Sequence, residues 1–176
     1  MNFVEKDLMC KFTQFYFYRK ILYILTALNL PECEHKIVEE NGVLKIFDPL
    51  RRKFVALTPE EWVRQNFVSY LKNQKGYPVG LMANEVSLSL NRTARRSDTV
   101  IYDCHASPLA IIEYKAPTVK ITQKTFDQIV RYNMVFRAPI IVVTNGLTHY
   151  CCYIDFETRN YRFLPEMPSY RQLKEL

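Results

Sequence analysis

Pro108-Leu109-Ala110-Ile111-Ile112-Glu113-Tyr114-Lys115-Ala116-Pro117 is the segment on which the fold turns. Up to Glu113 it is apolar at both parities, the pattern of a strand covered on both faces rather than of one with a wet side. With a period of two, Leu109, Ile111, Glu113 and Lys115 share a face. Two charges at the end of a strand otherwise fit for a core are costly to bury unless they are paired or hold a metal. The end of this strand is therefore a candidate site.

Working outward, Thr122 or Thr125 opens a helix with Phe126, Ile129, Val130, Asn133 and Met134 as its core stripe. It must end before Pro139, because the residue preceding a proline avoids the helical region. Ile140–Thr144 reads as a buried strand, Asn145-Gly146 as a tight turn and His149–Asp155 as a returning strand. Upstream, Asp98–Cys104 and Val79–Leu90 are strand-like. Before them Thr58-Pro59-Glu60-Glu61 starts a helix, with Thr as N-cap, Pro at the first position and Glu at the capping-box place. Val63, Phe67, Tyr70 and Leu71 fall on one stripe that stops before Gly76. His35–Phe47 reads as a hairpin turning at Glu40-Asn41-Gly42, closed by Asp48-Pro49. Helix, three strands, helix and two strands imply an α/β fold, a mixed central sheet with helices on both faces, in one domain over residues 31–176.

Residues 1–30 form an aromatic-rich extension, expected as a peripheral helix from the period of Phe17, Ile21, Ile24, Leu25 and Leu28. Arg19 and Lys20 interrupt it, and the run Ile21–Leu30 is short of the roughly 20 apolar residues that a membrane span needs. No secretory signal is legible.

The 176 residues carry a net charge of +6, a weak indication of a polyanionic partner. Five irregularly spaced cysteines without a CxxC pair support neither a disulfide framework nor a zinc site; they read as free buried thiols in a reducing cytoplasm. Three scattered histidines make no metal-ligand pattern. With only four glycines there is no GxGxxG and no GxxxxGK[ST] loop, which excludes nucleotide-driven work here.

Asp98 at the start of its strand and Glu113 at the end of the next can converge across neighbouring strands. Hard oxygen ligands of this kind suit Mg²⁺, with Mn²⁺ as a substitute, and a bound ion activates water and relieves charge on a phosphodiester. Lys115 reaches the same pocket as a cation, and the carbonyl of Tyr114 is a natural extra ligand. Gln128 and Tyr132, at i and i+4, share a helix face, Gln128 to support the site and Tyr132 to contact substrate. Glu61 has two readings, closing the capping box or joining the acids. Arg92, Arg95, Arg96, Lys120, Lys124 and Arg131 are candidate phosphate contacts.

These residues carry a resemblance. Leu57–Arg64, Arg96-Ser97-Asp98, Ile112–Pro117, Phe126–Asn133 and Ile141–Gly146 together resemble the N-terminal nuclease domain of type I restriction enzyme R subunits, of the PD-(D/E)XK superfamily, over residues 30–170. The resemblance implies Mg²⁺-dependent DNA cleavage with Asp98, Glu113 and Lys115 as the catalytic set. Gln128 and Tyr132 match the family's Gln-x-x-x-Tyr, and Glu61 its acid on the first helix. Ser97 stands where the motif usually has proline, which is not a ligand. R subunits continue into an ATP-driven motor, so the expectation is a stand-alone or partner-dependent domain. Its partners would be DNA and separately encoded methylase, specificity or motor subunits, in the cytoplasm and with no membrane. The competing expectations are a non-cleaving nucleic-acid-binding module on the same fold, or an interaction subunit.

Overall fold

The computed structural model describes residues 24–90 and 93–173. The helix expected over the start of the chain lies mostly outside them, as do Cys10, Arg92 and the side chains of Arg95, Arg96 and Tyr132. The part of the extension that is described departs from the expectation. Only Ile24 is helical, and residues 25–30 run irregularly toward Pro31. Ile24 is buried against Leu44, Ile46 and Leu57. The Thr26 carbonyl takes the Trp62 indole N–H at 3.0 Å, and Asn29 N–H donates to the Gly146 carbonyl at 2.7 Å. Tertiary partners for the backbone thus replace the intrahelical bonds that the apolar period suggested.

Three strands, β1 (Ile37–Glu40), β2 (Val43–Asp48) and β3 (Lys53–Ala56), form a small antiparallel sheet. Asn41 and Gly42 both take positive φ in the expected hairpin turn. The four-residue β3 was not foreseen. Helix α1 (Pro59–Asn73) follows, with Thr58 Oγ1 accepting the Glu61 N–H at 3.0 Å and Pro59 at its first position. Val79–Leu81 makes a 3₁₀ turn where strand was expected. The large sheet then begins with β4 (Met82–Leu90), β5 (Thr93–Tyr102) and β6 (Pro108–Tyr114). It continues through helix α2 (Gln123–Phe136) to β7 (Ile140–Thr144), β8 (His149–Asp155) and an unforeseen β9 (Asn160–Leu164). Tyr170–Leu173 adds a turn of helix, α3.

The six strands lie in sequence order, antiparallel except for β6 and β7, which run parallel across the α2 crossover. This is the expected mixed sheet, and the two-sided burial read into β6 is present. Ala110, Ile112 and Tyr114 join the core under α1, with Val63, Phe67 and Leu71. Ile111 joins the core under α2, with Ile129 and Phe136. The α2 stripe needs correction: Val130 is 44% and Met134 74% exposed, whereas Asn133 is buried. A polar residue takes the core position because it works there. Asn133 Nδ2 donates to the Ala138 carbonyl and the Ala138 N–H donates to Asn133 Oδ1, both at 2.8 Å, tying off the helix before Pro139. The cysteines also divide: Cys151 and Cys152 are buried on opposite faces of β8, but Cys104 is exposed. No helix among the described residues is long and apolar enough to cross a membrane.

Candidate active site

The end of β6 is where the two helices, on opposite faces, both reach the sheet. β5 begins at Thr93, so Asp98 lies in mid-strand rather than at its start. Thr99 pairs with Ile112, which brings Asp98 beside Glu113 one step further along. Glu113 Oε1 accepts from Lys115 Nζ at 2.6 Å and from Gln128 Nε2, on α2, at 3.0 Å. Asp98 Oδ2 accepts the Tyr114 N–H at 2.9 Å, and its Oδ1 accepts from Arg64 Nη2, on α1, at 3.0 Å. Asp98, Glu113, Lys115 and Gln128 are therefore brought together as the sequence predicts.

Glu61 divides between the two expectations: it stands at the cap, and Arg64 links its carboxylate to Asp98. The Glu61 N–H serves the Thr58 cap, but its carboxylate faces cations. Oε1 accepts from Gln65 Nε2 at 2.7 Å and pairs with Arg51 Nη2 at 2.8 Å; Oε2 accepts from Arg64 Nη1 at 2.9 Å. Its neighbour on the helix feels the charge of the site. Half-buried Glu60 is pushed up by burial and by the charge of Asp98, against the pull of Lys115 and Arg64.

Behind these lies a polar network that the sequence did not reveal. Asp48, fully buried at the end of β2, accepts from the N–H groups of Leu50 and Arg51, from Asn84 Nδ2 at 2.9 Å, and from Arg51 Nε. Asn84 Oδ1 in turn takes the Thr99 hydroxyl at 2.6 Å. Between the pairs Asn84–Thr99 and Val86–Ser97, the β4–β5 ladder leaves out Glu85 and Asp98. Glu85 there has φ +56°, a left-handed backbone that costs a non-glycine residue about 1–2 kcal/mol. The turn carries its carboxylate to Arg51 Nη1 at 2.8 Å and Arg64 Nη1 at 3.5 Å. The Glu61–Arg64–Gln65 spacing was readable as helix neighbours. Asp48 and Arg51 come from the end of β2 and the turn after it, and Glu85 from a distorted strand, for which no periodic signal exists.

Charge in the site is unbalanced. Asp48, Glu60, Glu61, Glu85, Asp98 and Glu113 outnumber Arg51, Arg64 and Lys115 two to one. Glu113 shows the result most directly: burial first, then the charge of Asp98, push its carboxyl up to about 7 despite Lys115. Burial opposes the charge on Lys115, but its bond to Glu113 and the surrounding carboxylates outweigh that and hold its proton more tightly than usual.

A divalent cation would suit such a surplus. Among the described residues no three His, Cys, Asp or Glu side chains are grouped to enclose one. Mg²⁺ does not require that; it is commonly held by one or two carboxylates and keeps several waters. Two adjacent carboxylates, one of them costly to ionise, fit that need.

The predicted phosphate contacts Lys120, Lys124 and Arg131 are all exposed. Lys124, Gln128 and Arg131 are spaced i, i+4, i+7 on α2, so two cations flank the residue that touches Glu113.

The family model for the type I restriction enzyme R protein N terminus matches residues 59–168. Among solved structures, the chain is similar to a fragment described as an HsdR subunit of a type I restriction enzyme from Vibrio vulnificus YJ016. The TM-score is 0.51 at 16% sequence identity, over 66% of this chain and 24% of that one. At that identity the likeness bears on the fold, and the chain spans about a quarter of that neighbour. No curated protein matches.

Proposed function

The chain belongs to the family of type I restriction enzyme R protein N termini, and from that premise we propose that it is a Mg²⁺-dependent deoxyribonuclease domain of the PD-(D/E)XK kind. The observation that carries the reading is the convergence of Asp98 and Glu113 on adjacent strands, with Lys115 bonded to Glu113. Asp98 and Glu113 would hold the metal, with the Tyr114 carbonyl as a further ligand; Mn²⁺ would substitute. When bound, the ion supplies an activated water and a counter-charge for the scissile phosphate.

The chain's own residues supply the rest. Lys115 keeps its proton and offers a fixed cation beside the reacting phosphate. Gln128 donates to Glu113 and holds that carboxylate in its ionised orientation. Lys120, Lys124 and Arg131, together with Arg95, Arg96 and Tyr132, are proposed to follow the DNA backbone past the site. The partners proposed are DNA and separately encoded methylase, specificity or motor subunits, in the cytoplasm.

The test is calorimetric titration with Mn²⁺ on wild type and on Asp98→Asn, with plasmid cleavage by wild type and by Lys115→Ala. Binding lost in Asp98→Asn and cleavage lost in Lys115→Ala, with DNA affinity kept, are the expected results. Cleavage undiminished in Lys115→Ala would sink the mechanism. A second reading, a module that grips DNA without cutting, draws on the guanidinium already seated on Asp98 Oδ1. Metal-independent DNA binding without cleavage by wild type would favour it.

A further inference from the structure

We infer that Arg64 is the positioning residue of this site, and that Glu61 acts on the site only through Arg64. The inference rests on the metal-site reading above and adds to it two residues with a defined order of action.

Arg64 is 3% exposed, on the face of α1 that covers the sheet. Its Nη2 bonds Asp98 Oδ1 at 3.0 Å, while its Nη1 bonds Glu61 Oε2 at 2.9 Å and approaches Glu85 Oε1 at 3.5 Å. A guanidinium is a rigid planar fork, so fixing one prong fixes the other. Its Nε is buried with no hydrogen-bond partner among the described residues. The side chain is thus placed for what its prongs reach, at the expense of its own third donor. The guanidinium also lies 5.6 Å over the ring of Tyr114, the residue whose N–H holds the other oxygen of Asp98. A carboxylate's terminal torsion is ordinarily broad. Donors on both oxygens, approaching from α1 and from β6, remove that freedom and leave the remaining lone pairs of Asp98 set relative to Glu113.

Glu61 is one bond further back. Its two oxygens are spent on Arg64, Arg51 and Gln65. What it contributes is the anchor for the second prong of Arg64. Arg51, which also pairs with Asp48 and Glu85, extends the same support to the small sheet. Outer-shell partners of this type change metal affinity by roughly ten- to a hundredfold when removed.

The experiment is a double-mutant cycle read by Mn²⁺ calorimetry on wild type, Arg64→Lys, Glu61→Gln and the double variant, each checked for folding by near-UV circular dichroism and urea denaturation. Lysine keeps the charge and loses the fork, so an effect of field alone predicts no change. The expected result is at least about tenfold weaker Mn²⁺ binding in Arg64→Lys. Glu61→Gln should bind more weakly than wild type, and the double variant no more weakly than Arg64→Lys alone. Unchanged or tighter binding in Arg64→Lys would overturn the inference, because Arg64 would then be a bystander or a competitor of the metal. Additive losses would overturn the order of action, since Glu61 would then act on the ion directly. If Arg64→Lys does not fold, Glu61→Gln decides alone, and wild-type affinity in it overturns the inference. Absence of Mn²⁺ uptake by wild type would instead remove the metal-site reading itself, and this inference with it.

Discussion

Glu113 should make the metal-free protein less stable as the pH rises. In the folded chain burial and the charge of Asp98 push its carboxyl up to about 7, against 4.5 for an unperturbed glutamate. Between those values the folded state binds a proton that the unfolded state has released, so stability falls with rising pH across this window. The gap of about 2.5 pH units, at about 1.4 kcal/mol each, is on the order of 3 kcal/mol. Solvent screening reduces that little, because the side chain is 6% exposed. The assay is urea denaturation of chelator-treated protein at pH 5, 6, 7 and 8, on wild type and on Glu113→Gln. Other groups titrate in both proteins, so the difference between the two curves isolates Glu113. Wild type should lose about 2–3 kcal/mol relative to the variant across this range, most of it below pH 7. Parallel curves would refute the reasoning, and so would a difference that grows in the opposite direction.

Two other outcomes test the frame around the site. Reversing Lys120, Lys124 or Arg131 to Glu should weaken DNA binding and lower the slope of log affinity against log salt by about one unit for each phosphate left without its cation; fluorescence anisotropy at several salt concentrations measures it, and unchanged slopes would take these residues off the DNA path. Asn133→Ala removes both bonds to Ala138 and leaves a buried N–H and carbonyl unpaired, so it should lower unfolding free energy by about 2–3 kcal/mol; a change below about 0.5 kcal/mol would mean that α2 is terminated by Pro139 alone.

How much could be read from the chain followed from how local each cause is. The two-sided burial of β6 was visible because it is written in ten consecutive residues. The α1 start was visible because Thr58 caps its near neighbour Glu61 and Pro59 takes the first helical position. From those, the convergence of Asp98, Glu113, Lys115 and Gln128 followed by strand parity and one helix turn. β9 escaped notice because its residues are mostly exposed and carry no alternation against a core. Asn133 was placed in the α2 stripe only by its spacing, with no sign of the backbone it would cap. Glu61 was legible only in part. Its capping place, and Arg64 and Gln65 one turn on, are local, whereas Arg51 is supplied by the turn after β2 and leaves no local signal.

The same network resolves an apparent contradiction in the charge of the molecule. A chain of net charge +6 with exposed cations along α2 is arranged to attract a polyanion. Yet the site those cations border gathers twice as many carboxylates as cations, and a phosphate approaching it would meet repulsion at short range. Arg51 and Arg64 cannot relieve this, because both are turned inward and committed to acids. Lys115, bonded to Glu113, offers the phosphate a single cation against that surplus. On the proposed reading the remaining deficit is what selects a divalent ion. On that reading the outer surface would gather DNA without it, whereas close approach of the scissile phosphate to Asp98 and Glu113 would require it. Binding and cutting would thereby be separated within one site. A protein emptied of metal should hold DNA through α2 and fail only at the step that brings phosphate against the end of β6.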